Sequence, residues 1–354
     1  MFYLTKEKQS KVDVAHLLYY PDESPDMELL HAHIKQLKES LYFIPEHFHG
    51  AILDGTLLTN NRLFSDYINW CENVIFYNEE QLTLRYEKRD KIVHKLSESG
   101  ASVFSETLHD GKLLCTKRQD GQVKLLFDMC GGFTTKAIIE LTFIDATESG
   151  NLWNYYIYDE LIETDEGFGL RVLSGNPYEE WTIFFKDVTA FYLFRPAATI
   201  EGEQITTLAQ LIEALNPDMN YFIMENDQFI EVELEQFREC ENGIYAGTTC
   251  LASDLKEAKR RIYCDQYEDP YAHFSDMIPL EQLEEAALSD DQVLRIRAFN
   301  TMFELGEEAA HIVNRVLTNI KVPEHEQILM EITASHFKNL DLLGEEAKTR
   351  WLLE

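Results

Sequence analysis

Val123-Lys124-Leu125-Leu126-Phe127-Asp128-Met129-Cys130 ends at Gly131-Gly132, and Ala137-Ile138-Ile139-Glu140-Leu141-Thr142-Phe143-Ile144 ends at Glu148-Ser149-Gly150-Asn151. Both runs are rich in β-branched and aromatic residues and both stop at turn formers, the pattern of strands in an antiparallel sheet. The same grammar extends outward in each direction. Upstream, Leu108-His109-Asp110-Gly111 opens the stretch, and Asp120-Gly121 has the composition of a two-residue hairpin turn. Downstream, Trp153 to Ile162 closes at Asp165-Glu166-Gly167, Phe168 to Leu173 closes at Ser174-Gly175-Asn176-Pro177, and Trp181 to Phe194 closes at Pro196. The pattern predicts one continuous antiparallel sheet over Ser105 to Arg195, with each run a single strand.

Everything before the sheet reads as helical. Pro25-Asp26 starts a helix running to about Tyr42, and Pro45 ends that register. Between Gly55 and Gly100 there is no Gly or Pro, and Leu63, Tyr67, Trp70, Val74, Tyr77 and Leu84 recur at helical spacing. This is a long amphipathic helix over Asn61 to Leu96, with Asn61 as N-cap, expected to cover one face of the sheet. After the sheet, Pro196 to Glu203 is a linker and Thr206 to Leu215 a short helix. Tyr221 to Met224 and Phe229 to Val232 flank a turn, Gly243 to Thr249 supplies a third strand, and Ser253 caps a further helix. Gln266 to Ile278 is a connector. The rest is helical and carries an internal repeat: Leu305-Gly306-Glu307-Glu308-Ala309 returns as Leu343-Gly344-Glu345-Glu346-Ala347. Ser289 with Gln292 forms a capping box before the first copy, and Pro323 opens the second. A period near 40 residues with two helices per unit resembles HEAT-type helical repeats, here over 288–354. The expected fold is α+β: a helical lead (1–100) in one domain with the sheet (101–196), a small α/β module (204–265), and a helical-repeat arm (279–354).

The chain has 354 residues, 63 of them acidic and 31 basic, giving a net charge of −32. That balance argues against a nucleic-acid backbone as partner, because a phosphate footprint needs clustered Lys and Arg. It suits a basic protein partner, since complementary fields raise association rates. The carboxylates placed to meet one are Glu284, Glu285, Asp290, Asp291, Glu307 and Glu308 of the arm. The six cysteines are scattered without a C-x-x-C pair, which points away from a zinc site or disulfide framework and toward a reducing compartment. The first fifteen or so residues lack the apolar core of a signal peptide, and no apolar run reaches the roughly 18 residues of a membrane span. A cytoplasmic protein without a cofactor is expected, with self-association through the terminal repeats as a further partner reading.

Two H-x-H pairs, His31 with His33 and His47 with His49, invite a metal reading. On a helix, residues two apart point to nearly opposite faces, so surface histidines are the expectation. His109 and Asp110 invite an acid–base reading, yet Asp-Gly is also a turn signal. An enzyme built from this half of the chain would draw on His47, His49, Asp54, His109 and Asp110. Gly131-Gly132 lacks the strand–loop–helix setting of a phosphate-binding loop.

Tyr3-Leu4-Thr5-Lys6-Glu7, Ile44-Pro45-Glu46, Leu53-Asp54-Gly55-Thr56, Leu108-His109-Asp110-Gly111, Cys130-Gly131-Gly132-Phe133, Tyr158-Asp159-Glu160 and Lys186-Asp187-Val188-Thr189 occur in that order. Together they resemble the uncharacterised bacterial family known as domain of unknown function 4085, over residues 1–194. The family pattern has a Ser after Leu-His-Asp where this chain has Gly111, so no hydroxyl acts there. The resemblance implies a helical lead on an antiparallel sheet and no particular chemistry. With no catalytic motif, scattered cysteines and an acidic surface, the expected function is non-catalytic binding, as in a toxin-neutralising immunity protein or a phage inhibitor of a host defence enzyme. A hydrolase using the His and Asp residues above, or a self-assembling scaffold, are the alternatives.

Overall fold

The computed structural model describes residues 2–19, 27–175, 177–200, 205–323 and 326–352. The chain divides into two compact units, Met1–Arg195 with Thr207–Tyr267, and Pro196–Thr206 with Glu268–Glu354. The first unit opens with helices α1 (Lys6–His16), α2 (Met27–Glu39), α3 (Glu46–Asp54), α4 (Asn61–Val93) and α5 (Glu98–Phe104). The expected start of α2 at Pro25-Asp26 lies outside the described residues. The N-cap of α4 is Asn60, one residue before the expected one; its Oδ1 accepts the Leu63 N–H at 3.2 Å. At 33 residues, α4 is about 50 Å long. Its first half buries Tyr67, Cys71 and Ile75 against Val14, Leu18, Leu37, Phe48 and Ile52 of the preceding helices. Ile92 and Val93 at its far end belong to a different core, that of the sheets.

The strands are β1 (Lys112–Gln119), β2 (Gln122–Asp128), β3 (Ile138–Ile144), β4 (Thr147–Gly150), β5 (Tyr156–Thr164), β6 (Gly167–Ser174), β7 (Glu179–Phe185) and β8 (Asp187–Leu193). All their pairings are antiparallel, as expected, but they form two sheets and not one, ordered β1-β2-β3-β8 and β4-β7-β6-β5. Two misread segments explain the difference. Trp181 to Phe194, read as one strand, breaks at Lys186, with β7 in one sheet and β8 in the other. Glu148-Ser149-Gly150, read as a turn, is strand β4 on β7. The chain therefore crosses between sheets after β3 and again after β7. The crossings are tied together by the Lys186 N–H donating to the Ile144 carbonyl at 2.9 Å.

The sheets bury their apolar faces against each other, as in a β-sandwich. Ile139, Leu141 and Phe143 alternate inward from β3, and Trp181, Ile183 and Phe185 from β7. The Phe143 ring lies 6.1 Å from Trp181 and 4.9 Å from Phe185. Because the second sheet fills the inner face, α4 does not cover a sheet face as expected. The helical lead packs instead at strands: α4 against the edge strand β5, and α5 against β8. Asp120-Gly121 forms the expected hairpin turn, with φ of +51° and +77°.

After β8 come one turn of helix, α6 (Ala197–Ile200), and then α7 (Leu208–Ala214), whose Thr207 and Gln210 form a capping box. Strands β9 (Tyr221–Glu225) and β10 (Gln228–Val232) make the expected hairpin, turning at Asn226 and Asp227 with φ of +49° and +57°. Strands β11 (Phe237–Cys240), β12 (Gly243–Ala246) and β13 (Thr249–Ala252) form a second small sheet, so Gly243 to Thr249 spans a turn as well as a strand. Helix α8 (Leu255–Lys259) is capped by Asp254 and not by Ser253, and β14 (Tyr263–Cys264) pairs with β9. This module lies within the first unit: Phe222 and Phe229 pack on Phe191 of β8, at 6.5 and 5.2 Å between rings.

The second unit holds α9 (Leu283–Ala287), α10 (Gln292–Leu305), α11 (Ala310–Asn319), α12 (Gln327–Asn339) and α13 (Glu345–Trp351) around Leu283, Phe299, Met302, Val313, Leu317, Met330 and Phe337. Ile278, read as connector, belongs to this core. Asp291 caps α10 in place of the expected Ser289–Gln292 box, since its carboxylate accepts the N–H groups of Val293 and Leu294. The repeated pentapeptide adopts two conformations. Gly306 ends α10 at φ +51°, whereas Gly344 precedes α13 at φ −77°. Among the described residues no helix is long and apolar enough to cross a membrane.

Candidate functional site

In the first unit, the second half of α4, the turn before β1, the loop after β2 and strand β5 enclose a cleft of about 430 Å³. Helix α4 presents Leu82, Arg85, Tyr86 and Arg89, spaced three and four apart and so on one face. The β5–β6 register shifts between Tyr156 and Tyr158, a bulge that re-aims the side chains beyond it. Tyr158, Asp159 and Glu160 follow and line the cleft. The turn supplies His109 and the loop supplies Phe133.

The charges differ in how they are used. Arg89 is spent on the fold: its Nε donates to the Phe104 carbonyl at 2.8 Å and its Nη2 to the Glu106 carbonyl, while Nη1 lies 3.4 Å from Asp159. Glu160 Oε2 accepts the N–H groups of Tyr3 and Leu4, each at 2.7 Å, and so pins the start of the chain. Arg85 has its guanidinium carbon 5.4 Å from the Tyr3 ring centre. Burial lowers its pKa, opposed by the charge of Glu160. The Nδ1–H of His109 donates to the Ile157 carbonyl, which turns Nε2 toward Asp110 Oδ1 at 3.7 Å. The His109 ring sits 5.6 Å from both Phe133 and Tyr158, making an aromatic wall. Burial raises the Tyr158 phenol above its usual range.

Of the five residues expected for an enzyme, only His109 lines this cleft, with Asp110 beside it. His47, His49 and Asp54 lie on α3 and serve that element. His49 Nε2 bonds the Ile44 carbonyl at 2.8 Å, and the His47 ring packs on Phe48. Asp54 accepts the hydroxyl of Thr56 at 2.7 Å and its N–H at 2.9 Å, bonds that hold its carboxyl below the usual range. His31 and His33 lie on α2. Among the described residues there is no group of three or more His, Cys, Asp or Glu placed to hold a metal ion. Sequence reasoning missed Arg85, Arg89 and Tyr86, because attention to the apolar stripe of α4 passed over their face. It did single out the strings holding His109, Phe133 and Tyr158, which line this cleft, and the one holding Tyr3, whose ring faces Arg85.

The acidic residues of the arm divide as well. Glu284 is bridged by Arg315 at 2.9 and 2.6 Å, which holds its carboxyl below the usual range, and Asp291 caps α10. Glu285, Asp290, Glu307 and Glu308 are exposed.

Fold and cleft define an α+β protein in which a helical lead and a β-sandwich enclose a polar and aromatic site. A family model described as protein of unknown function (DUF4085) matches residues 3–185, and the chain belongs to that family. No curated protein and no solved structure matches the chain.

Proposed function

We propose that the chain is a cytoplasmic, non-catalytic binding protein whose acidic surface engages a basic protein, in the manner of an immunity protein or an inhibitor of a nucleic-acid-acting enzyme. The observation that carries this reading is the division among the arm's carboxylates. Glu284 and Asp291 stabilise the unit, while Glu285, Asp290, Glu307 and Glu308 stand exposed on a chain of net charge −32. Clustered like charge steers an oppositely charged partner and suppresses wrong ones. The two helix pairs after Asp291 act, in this reading, as a HEAT-like arm bearing that charge. The enzymatic alternative loses support because His47, His49 and Asp54 do not join His109 at the cleft.

The test is affinity capture from bacterial lysate on the immobilised full chain, with identification by mass spectrometry. A protein of strongly basic composition is expected to stay bound near 50 mM salt and to release at roughly 500 mM, where the Debye length is only a few Å. Retained proteins no more basic than the lysate, or release indifferent to salt, would reject the reading.

A further inference from the structure

Arg85 lines the cleft, yet its Nε and Nη1 are shielded from solvent and find no hydrogen-bond acceptor among the described residues. Buried polar groups are nearly always bonded, so each exception calls for an explanation, an absent ion or ligand among them. The two nearby carboxylates favour its charge through space but accept no hydrogen bond from its Nε or Nη1. Glu160 Oε2 takes two backbone N–H groups, and Asp159 Oδ1 faces Arg89. The Tyr3 ring offers Arg85 a π-face, which answers part of its charge but none of its N–H groups. Lining the same cleft are three neighbouring rings, His109 lying 5.6 Å from both Phe133 and Tyr158 and tilted to them by 40° and 45°, and Phe133 is 70% exposed. An exposed ring beside two others offers a shelf for another flat ring. The volume, about 430 Å³, lies within the ~300–1,000 Å³ of small-molecule sites.

We propose that this cleft binds a small organic oxyanion carried on a flat ring, with the carboxylate or phosphate against Arg85 and the ring on the Phe133–His109–Tyr158 shelf. A guanidinium presents a planar fork of donors that matches either oxyanion. The Asp159 and Glu160 carboxylates in the cleft disfavour an extended polyanion, so a single charged group is the fit. The site is independent of the acidic surface and of any protein partner.

Calorimetric titration of the full chain tests this with benzoate, phenyl phosphate and the neutral isostere benzamide. At least one anion should saturate, with benzamide about tenfold weaker or worse; the tighter anion names the headgroup. Arg85→Met should weaken the anion at least about tenfold while the chain still unfolds cooperatively, since no hydrogen bond of the fold is lost and the Tyr3 ring keeps an apolar neighbour. Phe133→Ala, at an exposed ring, should weaken binding about threefold without altering the fold. Three results would each overturn the proposal: benzamide binding as tightly as the anions; Arg85→Met binding intact; or neither anion saturating below about 10 mM.

Discussion

Lys136 is only 4% exposed, and its Nζ is held by the Glu106 carboxylate with the Tyr192 ring centre 5.0 Å away. Glu106 also accepts the Thr134 hydroxyl and, at 3.0 Å, the Thr135 N–H. Burial works against its ionisation, but these bonds outweigh it and the carboxyl sits below its usual value of 4.5. Because the folded value lies below the unfolded one, the stability this group contributes is complete above about pH 4.5 and is lost as pH falls through the folded value. Glu106→Gln should therefore cost about 2–4 kcal/mol at neutral pH, mostly by stranding the buried ammonium. Adding Lys136→Met should recover much of that loss. Urea denaturation checks both claims: the gap between wild type and Glu106→Gln should narrow at pH 3. A gap of the same size at pH 3 would mean that the ion pair is not its source.

At the scale of elements, close approach decides what a substitution does. An added Cβ on Gly100 would collide with the Val188 carbonyl, because α5 lies directly on β8 and β8 is fixed by its pairing to β3. Gly100→Ala should cost about 1–3 kcal/mol by overpacking. The same exchange at Gly50 of α3 meets nothing within 4 Å and should stabilise by about 0.5–1 kcal/mol through helix propensity. Opposite shifts in the two thermal midpoints are the expected outcome; two shifts of one sign would show that α5 can retreat from β8. The same elements mark what the sequence discloses. Alternation of apolar residues locates a strand and its buried face, so nearly every run between Ser105 and Arg195 was legible. It does not say which sheet a strand joins. Lys186 looks like any polar residue on a strand, yet the chain changes sheets there. Glu148-Ser149-Gly150 has the composition of a turn, yet Gly150, at φ +82°, lies in an edge strand tight against the Glu180 carbonyl. The cleft was half legible for a related reason. The strings holding His109, Phe133 and Tyr158 stand out locally, but their meeting depends on β5 lying beside α4, a long-range fact. In the arm, the pentapeptide identity holds in sequence while Gly306 and Gly344 take different backbones.

For the whole molecule the governing quantity is charge. An excess of 63 acidic over 31 basic residues keeps a chain soluble whether or not it has a basic partner, so composition alone cannot separate the two roles. Kinetics can. Reversing Glu284 or Asp291 would confuse the result, since one bridges Arg315 and the other caps α10, a contact worth about 1 kcal/mol. Glu285, Asp290, Glu307 and Glu308 are exposed, and their joint change to Lys should leave the unfolding midpoint nearly unaltered. If these carboxylates steer the partner recovered by capture, the variant's association rate at low salt should fall by about tenfold or more, with dissociation little changed. Raising the salt should slow the wild type steeply and the variant less, so that the two rates converge as the Debye length shrinks below about 8 Å. That convergence matters, because a packing defect would persist at every ionic strength. Equal association rates at low salt, or a wild-type rate flat across the salt series, would leave the acidity of this arm with solubility as its role and remove the ground for electrostatic recognition.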